Sequence, residues 1–256
     1  MIKAAFFDVD GTLISYKTRK VCDSARAAIA KLQERGILCI VATGRHMIQM
    51  SKLPVGDIPF DAFVMLNGQL ILDKEQNVLF GVPIEGKAKE FLVKNFNDHT
   101  YPAIIVEERD MYLNYVSDHV LDVNRSMAIE VTPLSDYKGG NIYQICAYLR
   151  PEDERFLDPI KDLVVMTGWH YGGKDIIAGG GGKMVGIKRY LEHIGIRREE
   201  IIAFGDAEND LEMIRFAGIG VAMGNGADEV KAVADYVTAD VDDDGIEKAL
   251  KHFNLI

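Results

Sequence analysis

Asp8-Val9-Asp10-Gly11-Thr12-Leu13 follows directly on the apolar run of residues 2–7. A short apolar run that ends in Asp reads as a buried strand running out into a loop. Side chains of a strand repeat every second residue, so Asp8 and Asp10 start on the same side, close together. Like charges that close repel, and one of them is pushed toward its neutral form. A fold keeps such a pair where a cation sits between the two or where a proton is moved. The hexapeptide is therefore the candidate working centre.

Working outward, residues 24–35 carry Ala25, Ala28, Ile29 and Leu32 at helical spacing, with Gly36 placed to end the helix. A second apolar run at 37–42 closes with Thr43-Gly44-Arg45, and a third at 62–66 closes with Asn67-Gly68. Strand, helix, strand, loop and strand in this rhythm predict a parallel sheet with crossover helices. Ligands of such sheets sit beyond the carboxyl ends of the strands, where Asp8, Asp10, Thr43 and Asn67 fall. The rhythm then changes. Residues 69–84 predict a hairpin around 74–77, and 104–106 with 111–116 predict another. Further strands are expected at 142–149, 163–167 and 175–178, and helices at 86–98, 118–127 and 151–159. This α+β stretch ends at four glycines, 179–182, a hinge or a place of close backbone approach. The α/β rhythm returns with helices at 183–193, 209–216, 227–234 and 245–253 and strands at 201–204, 218–222 and 236–238. The boundaries predicted are a core of 1–82 with 183–256 and an inserted cap of 83–182.

Composition bounds the function. The chain has 256 residues, 48% of them hydrophobic and 27% charged, with a net charge of −10. That balance argues against nucleic acid or an anionic membrane as the main partner. An acidic protein that binds a phosphorylated substrate needs a local cation, and a divalent metal is the obvious one. Cys22, Cys39 and Cys146 are odd in number and widely spaced, which predicts free thiols in a reducing compartment. No run approaches the ~20 apolar residues of a membrane helix, and none suits a signal peptide, so a cytoplasmic protein is expected.

Four patches fall at strand ends or helix starts: Asp8/Asp10, Thr43/Gly44, Lys183, and Asp206/Asn209/Asp210. They offer a nucleophile, an acid/base, a hydroxyl with a backbone donor, a cation and a metal site, a set suited to phosphoryl transfer. A phosphate dianion repels an approaching carboxylate, and a divalent cation held by Asp8 and Asp206 would offset that repulsion. Lys183 would neutralise more charge, and Thr43 would donate to an equatorial oxygen. Blander readings stand beside these. A lone Asp-x-Asp is a solvated turn or a cap, but Gly205-Asp206 and Asn209-Asp210 downstream favour function here. Thr43 could cap a helix starting near Arg45. Arg45 reads as a structural ion pair or a cap-facing residue, and Asn67-Gly68 reads equally as a turn or a pocket wall. Asp242-Asp243-Asp244 lacks the spacing of a calcium loop, and Asp244 suits a helix N-cap. Trp169, His170 and Tyr171 read as packing, and His46, Met47 and Met50 as one helix face.

With these motifs in order (DVDGTL at 8–13, TGR at 43–45, NG at 67–68, Lys183, GDAEND at 205–210 and VAMGNGADEVKAVADYVT at 221–238), the chain resembles the haloacid dehalogenase-like superfamily in its Cof-type branch, subfamily IIB. The resemblance spans the whole chain and implies a Rossmann-like α/β core, a parallel sheet with helices on both faces, carrying an inserted α+β cap of the C2 type. It implies that Asp8 is a nucleophile forming an aspartyl-phosphate and that Asp10 is the acid/base. It implies Mg²⁺ held by Asp8, the Asp10 carbonyl and Asp206, with Asp210 acting through water or orienting that shell. Thr43, the Gly44 amide, Lys183 and Asn209 would hold the phosphoryl group. One departure is Met184 after Lys183, where many relatives have glycine. The expected partner is a small phosphorylated metabolite, and the expected state a monomer or small homo-oligomer. A phosphomannomutase-type mutase, and a binding regulator that has lost turnover, are the rival readings. The retained Asp10 argues against the regulator.

Overall fold

The computed structural model describes residues 1–127 and 129–256. They divide into two compact units, Met1–Phe80 with Gly182–Ile256, and Gly81–Gly181. In chain order the elements begin with β1 (Ala4–Phe7), α1 (Asp23–Glu34), β2 (Leu38–Ala42), α2 (Met47–Met50), β3 (Ala62–Met65), β4 (Leu70–Asp73) and β5 (Val78–Gly81). Next come α3 (Gly86–Asn97), β6 (Ala103–Val106), β7 (Met111–Leu113), α4 (Asp118–Met127), β8 (Gln144–Ala147), β9 (Val164–His170) and β10 (Gly173–Ala178). The chain closes with α5 (Lys183–Ile194), β11 (Ile201–Gly205), α6 (Leu211–Phe216), β12 (Ile219–Ala222), α7 (Asp228–Lys231), β13 (Tyr236–Val237) and α8 (Gly245–His252).

The first unit is built on a sheet of order β13-β12-β11-β1-β2-β3-β4-β5. It is parallel from β13 to β3, and β4 returns antiparallel to β3. All four residues of β1 are buried, because helices cover both faces of the sheet. On one face Phe6, Ile40 and Ala203 pack with Ile187, Tyr190 and Leu191 of α5 and Met213 and Ile214 of α6. On the other, Phe7 stacks on Phe204 at 5.1 Å, and the Cys39 thiol reaches the Ile29 carbonyl of α1. Each such large apolar side chain, fully buried, contributes roughly 1.5–3 kcal/mol. The register matters most for chemistry: Phe7 lies opposite both Phe204 and Val41. The chain therefore leaves β1, β2 and β11 at one edge of the sheet.

The second unit is an antiparallel sheet of order β7-β6-β8-β10-β9. Ile105, Ile145 and Ile176 bury one of its faces against Leu92 and Phe96 of α3 and Leu157 of the segment 151–160.

Several local expectations are corrected. The segment 151–159 is a 3₁₀ helix, Pro151–Ile160, rather than an α-helix, and Pro159 inside it lacks the amide that an α-helical ladder needs. The helix expected at 209–216 opens with a 3₁₀ turn, Glu208–Asp210. There the Asp210 carboxylate takes the amides of Asp206 and Ala207. The helix expected at 227–234 is confined to Asp228–Lys231. Thr43 caps no helix: α2 starts at Met47, and His46, buried rather than on a helix face, accepts the Ile48 amide. Asp244 occupies the N-cap position of α8, but its carboxylate accepts from the Ser24 hydroxyl instead of an α8 amide. Trp169 packs edge-on to Tyr148, whereas Tyr171 is exposed; the His170 side chain lies outside what is described.

Candidate active site

The shared sheet edge gathers the polar residues picked out in the sequence. Asp8 follows β1, Thr43 and Gly44 follow β2, Asn67 follows β3, Asp206 follows β11, and Lys183 opens α5. Asp8, Thr43, Asn67, Lys183, Asp206 and Asp210 are all buried.

Lys183 is the hub. Its side chain is fully buried, and its ammonium donates to Asp8 Oδ1 at 2.5 Å and to Asp210 Oδ1 at 2.7 Å. Burial alone would lower its pKa, but Asp210 and Asp8 outweigh burial and hold it above the ordinary lysine value. Asp210 has no spare oxygen, because its Oδ2 accepts the Asp206 and Ala207 amides. Asp206 is different. Oδ1 accepts the Thr12 hydroxyl at 3.2 Å, and among the described residues no cation pairs with it. Burial, then the Asp210 charge, push it up to about 7. Burial likewise raises Asp8 well above the usual carboxylate range. Lys183 opposes that rise, while Asp210, Asp206 and Asp10 add to it.

Asp10 is held from two sides. Arg45 donates from Nε to Oδ2 at 2.5 Å and from Nη2 to Oδ1 at 2.8 Å, the bidentate fork that guanidinium geometry favours. The Tyr16 hydroxyl donates to the Asp10 main-chain carbonyl at 3.0 Å. Between these residues lies Gly11, at φ +84°, where a Cβ would stand 2.1 Å from Asp206 Oδ2. Any side chain there would displace that carboxylate. The Asn225 amide pins the Gly11 carbonyl at 2.7 Å.

The Asn67 turn supplies the remaining wall. Leu66, Asn67 and Gly68 are consecutively left-handed, at φ 52°, 51° and 87°. Such a conformation costs a non-glycine residue on the order of 1–3 kcal/mol. A Cβ on Gly68 would lie 2.3 Å from the Gly182 carbonyl, so the turn sits hard against the start of α5. It brings the Asn67 amide onto the Thr43 carbonyl and the Asn67 side chain onto Asn209 Nδ2, both at 3.0 Å. The Thr43 hydroxyl accepts the Arg45 amide.

Asp8, Asp206 and Asp210 each place a carboxylate oxygen within 4.8 Å of the others. The wider cluster sets the four carboxylates of Asp8, Asp10, Asp206 and Asp210 against two cations, Lys183 and Arg45. Three buried carboxylates and a half-buried fourth, with no cation on Asp206 among the described residues, are a hard-oxygen donor set suited to a divalent cation. Arg45, Thr12 and Tyr16 join the site without having been singled out as functional. Thr12 was legible as part of the hexapeptide, whereas nothing local marks Tyr16.

The family model of haloacid dehalogenase-like hydrolases matches residues 5–250. The chain is 32% identical over 258 residues to YkrA of Bacillus subtilis (strain 168), whose name proposes it as a phosphatase, covering 99% of this chain and 98% of that one. It is 29% identical over 263 residues to YitU of the same organism, a 5-amino-6-(5-phospho-D-ribitylamino)uracil phosphatase, covering 96% and 95%. The solved structure of BT1666 from Bacteroides thetaiotaomicron, a phosphatase of the same superfamily, superposes with a TM-score of 0.91 at 31% identity, covering 100% of this chain and 96% of that one. That of the subclass IIB sugar phosphatase BT4131 gives 0.88 at 32%, covering 99% and 100%.

Proposed function

Since the chain belongs to the haloacid dehalogenase-like hydrolases, we propose that it is a Mg²⁺-dependent phosphatase of small phosphorylated metabolites, sugar phosphates foremost. Hydrolysis of phosphate esters is what the names of YitU, BT1666 and BT4131 state of those proteins. The observation that carries the reading here is the buried Asp8–Lys183–Asp210 array beside an unpaired Asp206. A lysine clamped on one oxygen of Asp8 leaves the other oxygen of that carboxylate to act.

In this reading Asp8 attacks phosphorus through its second oxygen while the bond from phosphorus to the leaving alcohol breaks. Lys183 fixes the carboxylate's orientation and offsets part of its charge. Asp10 gives the departing oxygen its proton, then takes one from the water that cleaves the aspartyl-phosphate. A carboxyl oxygen that bears hydrogen is a weaker acceptor than a carboxylate oxygen, so the Arg45 fork loosens its hold when Asp10 carries a proton. Thr43, the Gly44 amide and Asn209 hold the transferring group, and Asn67 orients Asn209. Asp8, the Asp10 carbonyl and Asp206 would hold Mg²⁺, with Asp210 orienting them; bound there, the ion offsets the repulsion between carboxylate and phosphate dianion. The unit Gly81–Gly181 serves as the cap that selects the substrate.

The test is phosphate release from a panel of phosphorylated metabolites, with Mg²⁺ and with EDTA. Asp8→Asn should lose at least about a thousandfold in kcat and keep its fold by circular dichroism. Turnover in Asp8→Asn equal to that of the wild type would refute the mechanism.

A further inference from the structure

Tyr16 is placed as if to answer a need of the site. Its hydroxyl donates to the Asp10 carbonyl, the main-chain oxygen assigned above to the cation. The edge of its ring flanks Gly11: a Cβ built there would lie 2.6 Å from Tyr16 Cε2 on one side and 2.1 Å from Asp206 Oδ2 on the other. Burial, and after it the charges of Asp206, Asp8, Asp10 and Asp210, raise its hydroxyl above the ordinary tyrosine value. Its proton rests on one of the oxygens the metal would take.

A cation taking the Asp10 carbonyl therefore has to compete with the Tyr16 hydrogen bond already made there. Tyr16 is 55% exposed, so its side chain borders the solvent into which it would turn.

We propose that Tyr16 is a positioning residue that occupies the Asp10 carbonyl in the metal-free protein and is displaced when a divalent cation binds. The inference rests on the cation site assigned above. Binding then includes the loss of the Tyr16 bond, so the tyrosine lowers the metal affinity.

The test is direct Mn²⁺ titration, followed by electron paramagnetic resonance, on wild type, Tyr16→Phe and Asp206→Asn. Tyr16→Phe keeps the ring and removes the competing proton, so its Kd should fall about two- to tenfold, the range a net hydrogen bond spans. An unchanged or raised Kd overturns the proposal. Asp206→Asn separates the two ideas: Mn²⁺ binding as tight as wild type would overturn the cation site itself and Tyr16's role with it. An independent readout uses Mg²⁺ and the ultraviolet difference spectrum of tyrosine. Wild type should show a metal-induced signal that Tyr16→Phe lacks, and silence in wild type would overturn the displacement.

Discussion

The two sheets treat their polar residues differently. In the first unit the strands β1, β2, β3 and β11 run parallel, so their carboxyl ends share an edge. Asp8, Asp10, Thr43, Asn67, Asp206 and Asp210 converge there, four carboxylates against the two cations Lys183 and Arg45. In the second unit neighbouring strands are antiparallel, their ends alternate, and polar groups settle locally. Gln144 donates to Cys146 two residues along β8, and Tyr148 donates to Asn124 of α4 at 2.8 Å. Even the Cys146 thiol, raised by burial and then by Asp175, is kept neutral. Chain direction thus decides whether the polar groups at strand ends gather at one edge or are spread over both.

Three experiments would break or sharpen that contrast. The largest effect is expected from Lys183→Met. It leaves Asp8 and Asp210 buried without their cation, which should cost about 3–5 kcal/mol in urea unfolding and abolish turnover. A loss under 1 kcal/mol would mean that the lysine's charge is dispensable to the fold.

The second is pH. Burial, and then the Asp210 charge, push Asp206 up to about 7 in the folded protein, against 3.8 for an ordinary aspartate. Between those values the native state binds the extra proton, so stability falls as pH rises through about 7. Metal-free protein should lose about 1 kcal/mol from pH 6 to pH 8, roughly 2–4 °C in Tm, and Mg²⁺ should reduce that loss. A metal-free melting temperature that rises over this interval would contradict the excess charge at the sheet edge.

The smallest concerns the other sheet. Tyr148→Phe removes one satisfied bond and should cost about 1 kcal/mol by urea unfolding, with Mn²⁺ affinity unchanged. A shift in that affinity would show that the two regions are not independent in this respect.

Much of the site was legible because its chemistry is local in sequence. Asp8 and Asp10 sit two residues apart at a strand end, and Asp206 to Asp210 repeat the pattern after another apolar run. Helix types and lengths were less legible, since Pro159 and the Asp210 carboxylate redirect backbone hydrogen bonds that residue periodicity does not record. Arg45 illustrates the middle ground: an ion pair was expected of it, but its partner was not.

The order of apolar runs and turns in the chain by itself determined an α/β protein, the sheet edge that bears the site, and the carboxylates and lysine gathered there. Strand and helix periods and the loop residues at strand ends are local properties. Only the tertiary structure decided how the charges divide: Lys183 between Asp8 and Asp210, Arg45 on Asp10, Thr12 on Asp206 with no cation there among the described residues, and Tyr16 on the Asp10 carbonyl. Those pairings join residues up to 194 positions apart. Their strength comes from shared burial, which arises only when the strands stand side by side.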